Sequence, residues 1–233
     1  KQSKASHPML FDSSIFEPLE LLYIDLCGPS TVASLHHKKC ILVIVDDFTH
    51  FTWVFFLTFK SETPQILINF IKEIELKIKL PVRRIRSDNG TEFTNHILNS
   101  FLVSKSISHN FSAPYKPHQN GVVERRDRTL VETTRSMLNF AHLPLYFWGE
   151  AVATTCFVQN RSIFCKRLNK TPYEGLNNRK PNIRFFHIIR CRCFVINNKE
   201  HLNKFAPKSD EGIFLGYSTN KVAYRVLIRH TRL

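Results

Sequence analysis

The first regular alternation along the chain is LLYIDLC at residues 21–27, where Leu22, Ile24 and Leu26 share one face of a strand and Tyr23 and Asp25 the other. Two apolar, β-branched and aromatic runs follow, CILVIVDDF at 40–48 and FTWVFFLTF at 51–59, joined across Asp46, Asp47 and Thr49. They predict a hairpin, and with the first strand a three-stranded antiparallel start. From 62 to 80 the period changes: Ile66, Phe70, Ile74 and Ile78, with Leu67, Ile71 and Leu80 beside them, fall on one helical face, and Pro81 ends the helix. VRRIRSD then returns to strand, TNHILNSFLVSKS to a short helix, SHNFSA to strand, and VVERRDRTLVETTRSMLNFAHL to a long amphipathic helix that stops near Pro144. A further helix lies over LYFWGEAVATTCFVQNRS. The order βββ-α-β-α-β-α is that of an α/β protein whose mixed sheet carries helices packed on it. Beyond Ser162 the pattern is lost. Residues 163–187 are rich in Lys, Arg, Asn and Pro and read as a basic connector, whereas CRCFVI, EGIFLGYS and AYRVLIR within 188–233 predict a small β unit.

Composition narrows the class without naming a function. The 233 residues are 43% hydrophobic with 7 Gly and 11 Pro, the profile of a globular protein with one main domain and an extension. No apolar run is long enough to span a membrane. The start, KQSKASHPML, has neither a secretory apolar region nor an initiator Met, so a piece of a longer polypeptide is expected. The 6 cysteines are scattered without a CxxC pair and read as reduced thiols of an intracellular protein; Cys191 and Cys193 read as small buried side chains on one strand face. Charge is more telling: residues 1–80 carry 8 Lys and Arg against 9 Asp and Glu, while residues 81–233 carry 25 against 10. A field so concentrated favours a polyanionic partner, most often nucleic acid.

Candidate chemistry centres on RIRSDNGTEF, residues 84–93, where a strand runs into Ser-Asp-Asn-Gly. Read alone, Asp88 caps a turn and Gly90 supplies the positive φ that a tight turn needs. If the first and fourth strands are neighbours, however, Asp25 and Asp88 project at one edge of the sheet. Glu124, in the first turn of the long helix and separated from Asp88 by 35 residues, supplies a third acid. Three carboxylates from two strands and a helix suit a pair of hard cations, which take oxygen ligands and share at least one of them. Spacing alone does not single out these acids among the 19 in the chain. Asp46 and Asp47 read as turn residues of the hairpin.

The surrounding words are more specific. YIDLCGP, VDDFTHFTWVFFL, RIRSDNGTEF, APYKPHQNGVVERRDRTLVETTRSML, LPLYFWGEAV, TPYEGLNNRKP and IFLGYS resemble, in order and wording, the integrases of copia-type long-terminal-repeat retrotransposons. The resemblance implies a ribonuclease-H-like mixed five-stranded sheet with flanking helices, a D,D(35)E triad falling on Asp25, Asp88 and Glu124, and Mg²⁺ or Mn²⁺, in two ions, as cofactor. It implies DNA strand transfer into chromosomal double-stranded DNA, so action in the nucleus after a cytoplasmic stage. Lys116, Gln119 and Asn120 fall on the loop that the resemblance gives DNA contacts; Arg125 and Arg128, beside Glu124, are expected to meet phosphate. A homo-oligomer is expected, since two DNA ends are joined. Domains follow as a 1–16 tail resembling what trails the family's zinc-binding segment, a catalytic core over 17–162, the connector over 163–187 and the β unit over 188–233. FFHIIRCRC departs from the family's Phe-Gly-Cys wording at that unit. Two other functions share the same residues: a DNA-binding remnant that no longer joins strands, and a nuclease of the same fold that only hydrolyses.

Overall fold

The computed structural model describes residues 15–112, 121–196, 208–218 and 223–228. Its larger sheet has five strands: β1 (Leu21–Cys27), β2 (Cys40–Asp46), β3 (Thr52–Leu57), β4 (Arg84–Ser87) and β5 (Ser108–Phe111), in the spatial order β3-β2-β1-β4-β5. The first three are antiparallel; β4 and β5 run parallel to β1. Helices α1 (Thr63–Ile78) and α2 (His96–Ser104) cover one face, while α3 (Gly121–Phe140) and α4 (Trp148–Ser162) cover the other.

Burial on both faces changes the reading of the central strands. Leu22, Ile24, Leu42 and Ile44 pack with Leu67, Phe70 and Ile71 of α1, and Leu98 and Leu102 of α2. Leu21, Tyr23, Val43 and Val45 pack with Val123 and Leu130 of α3, and Ala151, Val152 and Cys156 of α4. Every residue of β2 is consequently buried, which is why CILVIVD reads as a continuous run and not as an alternation. Asp25 is the point where polarity breaks into the second of these cores.

Helix ends are set by local geometry and not only by proline. α1 stops at Ile78 because Lys79 takes a left-handed conformation, φ 62°, and its N–H reaches back to the Glu75 carbonyl. Pro81 lies beyond that cap. The connector is also more regular than its composition suggests. It contains α5 (Pro172–Asn177), opened by a capping box in which Thr171 Oγ1 accepts from the Glu174 N–H and the Glu174 carboxylate accepts from the Thr171 N–H. Asp46 does hold the hairpin turn, its Oδ2 accepting from the Thr49 N–H and hydroxyl, but it is fully buried and its Oδ1 also accepts from the Leu19 N–H.

A second sheet, β6 (Arg192–Ile196), β7 (Ser209–Tyr217) and β8 (Tyr224–Ile228), is antiparallel throughout. Cys191 and Cys193 are only half-buried there, contrary to the expectation of buried side chains, since the face of β6 that carries Cys193 and Val195 is only partly covered and the alternate face, with Phe194 and Ile196, is open. The sheet docks on α4. Phe157 stacks on Tyr217 at 4.1 Å between centroids, Thr154 Oγ1 donates to the Leu215 carbonyl, and Arg225 pairs with buried Glu150 at 2.9 Å. Gly216 makes this approach possible, since a Cβ there would lie 2.2 Å from Thr154 Oγ1. Gly216→Ala should therefore cost about 1–3 kcal/mol by overpacking. A lowered melting temperature that the paired change Thr154→Ala largely restores would show that this contact is the cause.

Candidate active site

The acids are brought together by strand register. β1 and β4 pair in parallel with Leu21 opposite Arg84 and Tyr23 opposite Arg86. Two residues further along, the same register brings Asp25 level with Asp88. Tyr23 and Arg86 show that these positions share a face, the guanidinium lying 5.7 Å from the ring centroid. Asp25 Oδ1 accepts from the Leu26 N–H at 2.9 Å, and Asp88 Oδ1 from the Gly90 N–H at 3.2 Å. Gly90 is not in the left-handed region that its place in the turn suggests. Its need is spatial: a Cβ would fall 2.9 Å from Glu92 Cδ and 3.2 Å from Asp88 Oδ1. Buried Phe93 anchors the turn in the core behind Asp88.

Glu124 stands exposed in the first turn of α3. That turn is fixed from within by Arg126, whose Nε donates to Thr52 Oγ1 at 2.7 Å and whose Nη2 reaches the His50 carbonyl at 3.4 Å. One turn on from Glu124, half-buried Asp127 lies near the Cys27 thiol at the end of β1. Burial raises the Asp127 carboxyl, and burial together with Asp127 pushes the Cys27 thiol up to about 11.

Asp25 is where this charge converges. Burial, the largest cause, pushes its carboxyl up to about 6 against the pull of the Leu26 N–H; the charges of Asp127, Asp88 and Glu124 push in the same direction. None of the four acids is ion-paired to Lys, Arg or His among the described residues. A half-buried carboxylate that feels the charges of three others, with no ion pair among the described residues, offers oxygen donors of the kind a hard metal ion takes. Among the described residues, no three His, Cys, Asp or Glu side chains are already gathered closely enough to hold one. Arg125 and Arg128 are exposed on α3 close to Glu124, the Arg125 guanidinium folding back over Gly121. Lys116, Gln119 and Asn120 lie outside the described residues. Asp127 and Glu92 went unremarked in the sequence; the i, i+3 spacing of Asp127 from Glu124 was the available signal.

Comparison with known proteins matches two stretches of the chain to known families. Residues 17–117 match the integrase core domain family, and residues 191–233 the retroviral polymerase SH3-like domain family. The chain is 36% identical over 208 residues, 89% of its length, to a retrovirus-related Pol polyprotein from transposon TNT 1-94 of Nicotiana tabacum. It is 30% identical over 225 residues, 95% of its length, to one from transposon RE2 of Arabidopsis thaliana. It spans only 16% and 15% of those two polyproteins. Among solved structures it resembles the HTLV-2 integrase catalytic core domain in complex with magnesium, with TM-score 0.52 and 20% identity over 69% of this chain and 97% of that one. It also resembles a chain of the simian T-cell lymphotropic virus intasome in complex with PP2A regulatory subunit B56 gamma, with TM-score 0.56 and 16% identity over 92% and 77%. Fold and family match together mark a ribonuclease-H-like integrase core with an appended three-stranded sheet. The chain belongs to the integrase region of retrotransposon Pol polyproteins.

Proposed function

We propose that this chain carries the catalytic centre of DNA strand transfer. A 3′-hydroxyl of element DNA attacks a phosphodiester of chromosomal DNA; a new P–O bond forms, the bond to the target's own 3′-oxygen breaks, and that oxygen takes up a proton. The observation that supports this best is the β1–β4 register that brings Asp25 level with Asp88, at a half-buried position that also feels the charges of Glu124 and Asp127. Asp25, Asp88 and Glu124 would hold Mg²⁺ or Mn²⁺, in two ions, through their carboxylate oxygens. When bound, such a pair polarises the attacking hydroxyl and stabilises the leaving oxygen, so no protein nucleophile is required. The chain's own part is placement. The β1–β4 register holds two carboxylates level, and Arg126 fixes the turn of α3 that carries the third.

Arg125 and Arg128, with Lys116, Gln119 and Asn120 on the segment before α3, would take DNA phosphates at this edge. The chain would act as a homo-oligomer on two DNA ends in the nucleus. Dimeric and trimeric forms are described for the HTLV-2 core. Among the described residues no helix is long and apolar enough to cross a membrane. The test is incubation of the chain with Mg²⁺ or Mn²⁺, a duplex copy of an element end and a supercoiled target. Metal-dependent joined strands are the expected product. Nicked target without joining would make the chain a nuclease that only hydrolyses, and DNA binding with neither product would make it a silent remnant.

A further inference from the structure

Asp88 is held by a hydrogen-bond chain that begins on a different strand. Ser87, the last residue of β4, is fully buried, and its Oγ lies 2.8 Å from the Asp88 carbonyl oxygen and 2.9 Å from His109 Nε2. A carbonyl can only accept, so the single hydroxyl proton of Ser87 is committed to Asp88. The Ser87 oxygen must then accept from His109, which puts a proton on Nε2 and fixes the direction of the whole chain. His109 is half-buried in β5, opposite Ile85, and its ring leans on Phe111 at 4.2 Å between centroids. The Ser87 carbonyl in turn accepts from the Ser112 N–H at 2.9 Å, so the end of β4 is fastened to β5 on both sides of the serine.

The consequence falls on the carboxylate. Asp88 sits where the strand gives way to a turn, and there the backbone has no ladder partner of its own to set its direction. Fixing the carbonyl one bond from Cα sets the orientation of the Cα–Cβ bond. The bond from Gly90 N–H to Oδ1 then sets the side chain beyond it. A buried serine whose only task was to be satisfied could bond to any carbonyl; this one is bonded to the residue proposed as a ligand.

We propose that His109 and Ser87 are positioning residues for Asp88, acting through the one-way chain from His109 Nε2–H to Ser87 Oγ–H to the Asp88 carbonyl, and that they tune its affinity for a divalent cation. This rests on the metal site proposed above. Partners that orient a ligating group are worth about 10–100-fold in metal affinity or activity.

The experiment uses the full chain and Mn²⁺ alone, with bound Mn²⁺ counted by electron paramagnetic resonance at a temperature well below each variant's melting point. His109→Phe keeps a ring against Phe111 but has no donor, His109→Gln restores an N–H donor, and Ser87→Ala removes the relay. His109→Phe and Ser87→Ala should each weaken Mn²⁺ binding about tenfold. His109→Gln should return to within about threefold of the parent, and the double variant should be no weaker than the weaker single one, because the residues act as a unit. Strand transfer should lose kcat in the same order while KM for DNA stays put. Parent-like Mn²⁺ affinity in His109→Phe and Ser87→Ala, alongside loss in Asp88→Asn, would overturn the positioning role and leave the site standing. Equal loss in His109→Phe and His109→Gln would also overturn it, since the donor would then not be what matters. An Asp88→Asn variant that binds Mn²⁺ like the parent would overturn the site assignment and the positioning role with it.

Discussion

Asp25→Asn should melt at a higher temperature than the parent at neutral pH while joining no DNA. The substitution keeps Oδ1 as an acceptor for the Leu26 N–H, so the bond at 2.9 Å survives, and it removes one charge from a cluster of four acids. The folded-state carboxyl of Asp25 is raised to about 6 from an ordinary 3.8. Such a group stabilises the fold fully below its unfolded pKa, and that contribution is lost as pH rises through the folded value. Above about pH 6 the parent carries the whole penalty and the variant none. Each pKa unit corresponds to about 1.4 kcal/mol, and after a discount for partial exposure about 1–2 kcal/mol remains. For a chain of this size that is a rise of roughly 2–8 °C.

The pH dependence is the sharper check. The difference between variant and parent should be full above pH 6, shrink through the window down to 3.8 and vanish below it. Other groups shifted in this range include Asp46, raised to about 6, His50, pushed down to about 4 mainly by burial and then by Arg126, Asp127, raised by burial, and His109, lowered by burial. His50 has the opposite sign, its contribution falling as pH drops from 6.5 toward 4. Asp46, His50 and His109 are shared by variant and parent and cancel in the difference, while Asp127, whose charge acts on Asp25, is relieved in the variant in the same direction. Melting temperatures measured from pH 4 to pH 8 would decide the matter. A variant no more stable than the parent at pH 8 would mean that Asp25 is already compensated by a cation. Strand transfer should fall by at least about a hundredfold, since the ligand proposed on β1 is lost.

The legible part of this site was local, and the illegible part was long-range. Asp25 and Asp88 were readable as an edge pair because one sits on a strand and the other just past the end of one, and Glu124 because a helix pattern begins just before it. Arg126 was hidden: its partners, Thr52 and His50, lie more than 70 positions away on the hairpin. Ser87 and His109 were polar residues in two short, largely polar strands, and only the β4–β5 register makes them neighbours. Gly90 was noticed for the wrong reason, because turn chemistry suggests φ while the actual constraint is the space between Glu92 and Asp88. At α5 the signal was present and outweighed: Thr171-Pro172-Tyr173-Glu174 is a capping box with proline at the first helical position, but the basic composition around it read as irregular.

The same long-range logic gives the largest stability effect expected in the chain. Asn160→Ala should lower the melting temperature far more than Gln159→Ala, although both remove a buried amide from neighbouring positions of α4. Asn160 Oδ1 accepts from the Thr52 N–H at 3.0 Å, and its Nδ2 donates to the Thr52 carbonyl at 2.7 Å. The side chain thus acts as one more pairing partner on the outer edge of β3, at a residue only 1% exposed. Its oxygen also takes a bond from Arg126 Nη2 at 3.4 Å, linking α4 to the turn that carries Glu124. Truncation strands the Thr52 N–H in a dry site, leaves its carbonyl with only the Cys156 thiol at 3.2 Å, and removes an acceptor from a buried guanidinium. At about 1–3 kcal/mol for each buried group left without a partner, the loss is about 2–4 kcal/mol, or roughly 5–15 °C. Gln159 has much less to lose: its Nε2 makes one bond of 3.3 Å to Thr133, and its Oε1 has no partner among the described residues. About 1 kcal/mol or less is expected there. Because Arg126 would loosen with Asn160→Ala, strand transfer measured well below the melting point should also fall, whereas Gln159→Ala should leave it near the parent. Equal stability losses at the two positions would show that the Thr52 pairing contributes nothing beyond ordinary amide burial, and that the edge of β3 is held by the Cys156 and Arg126 contacts alone.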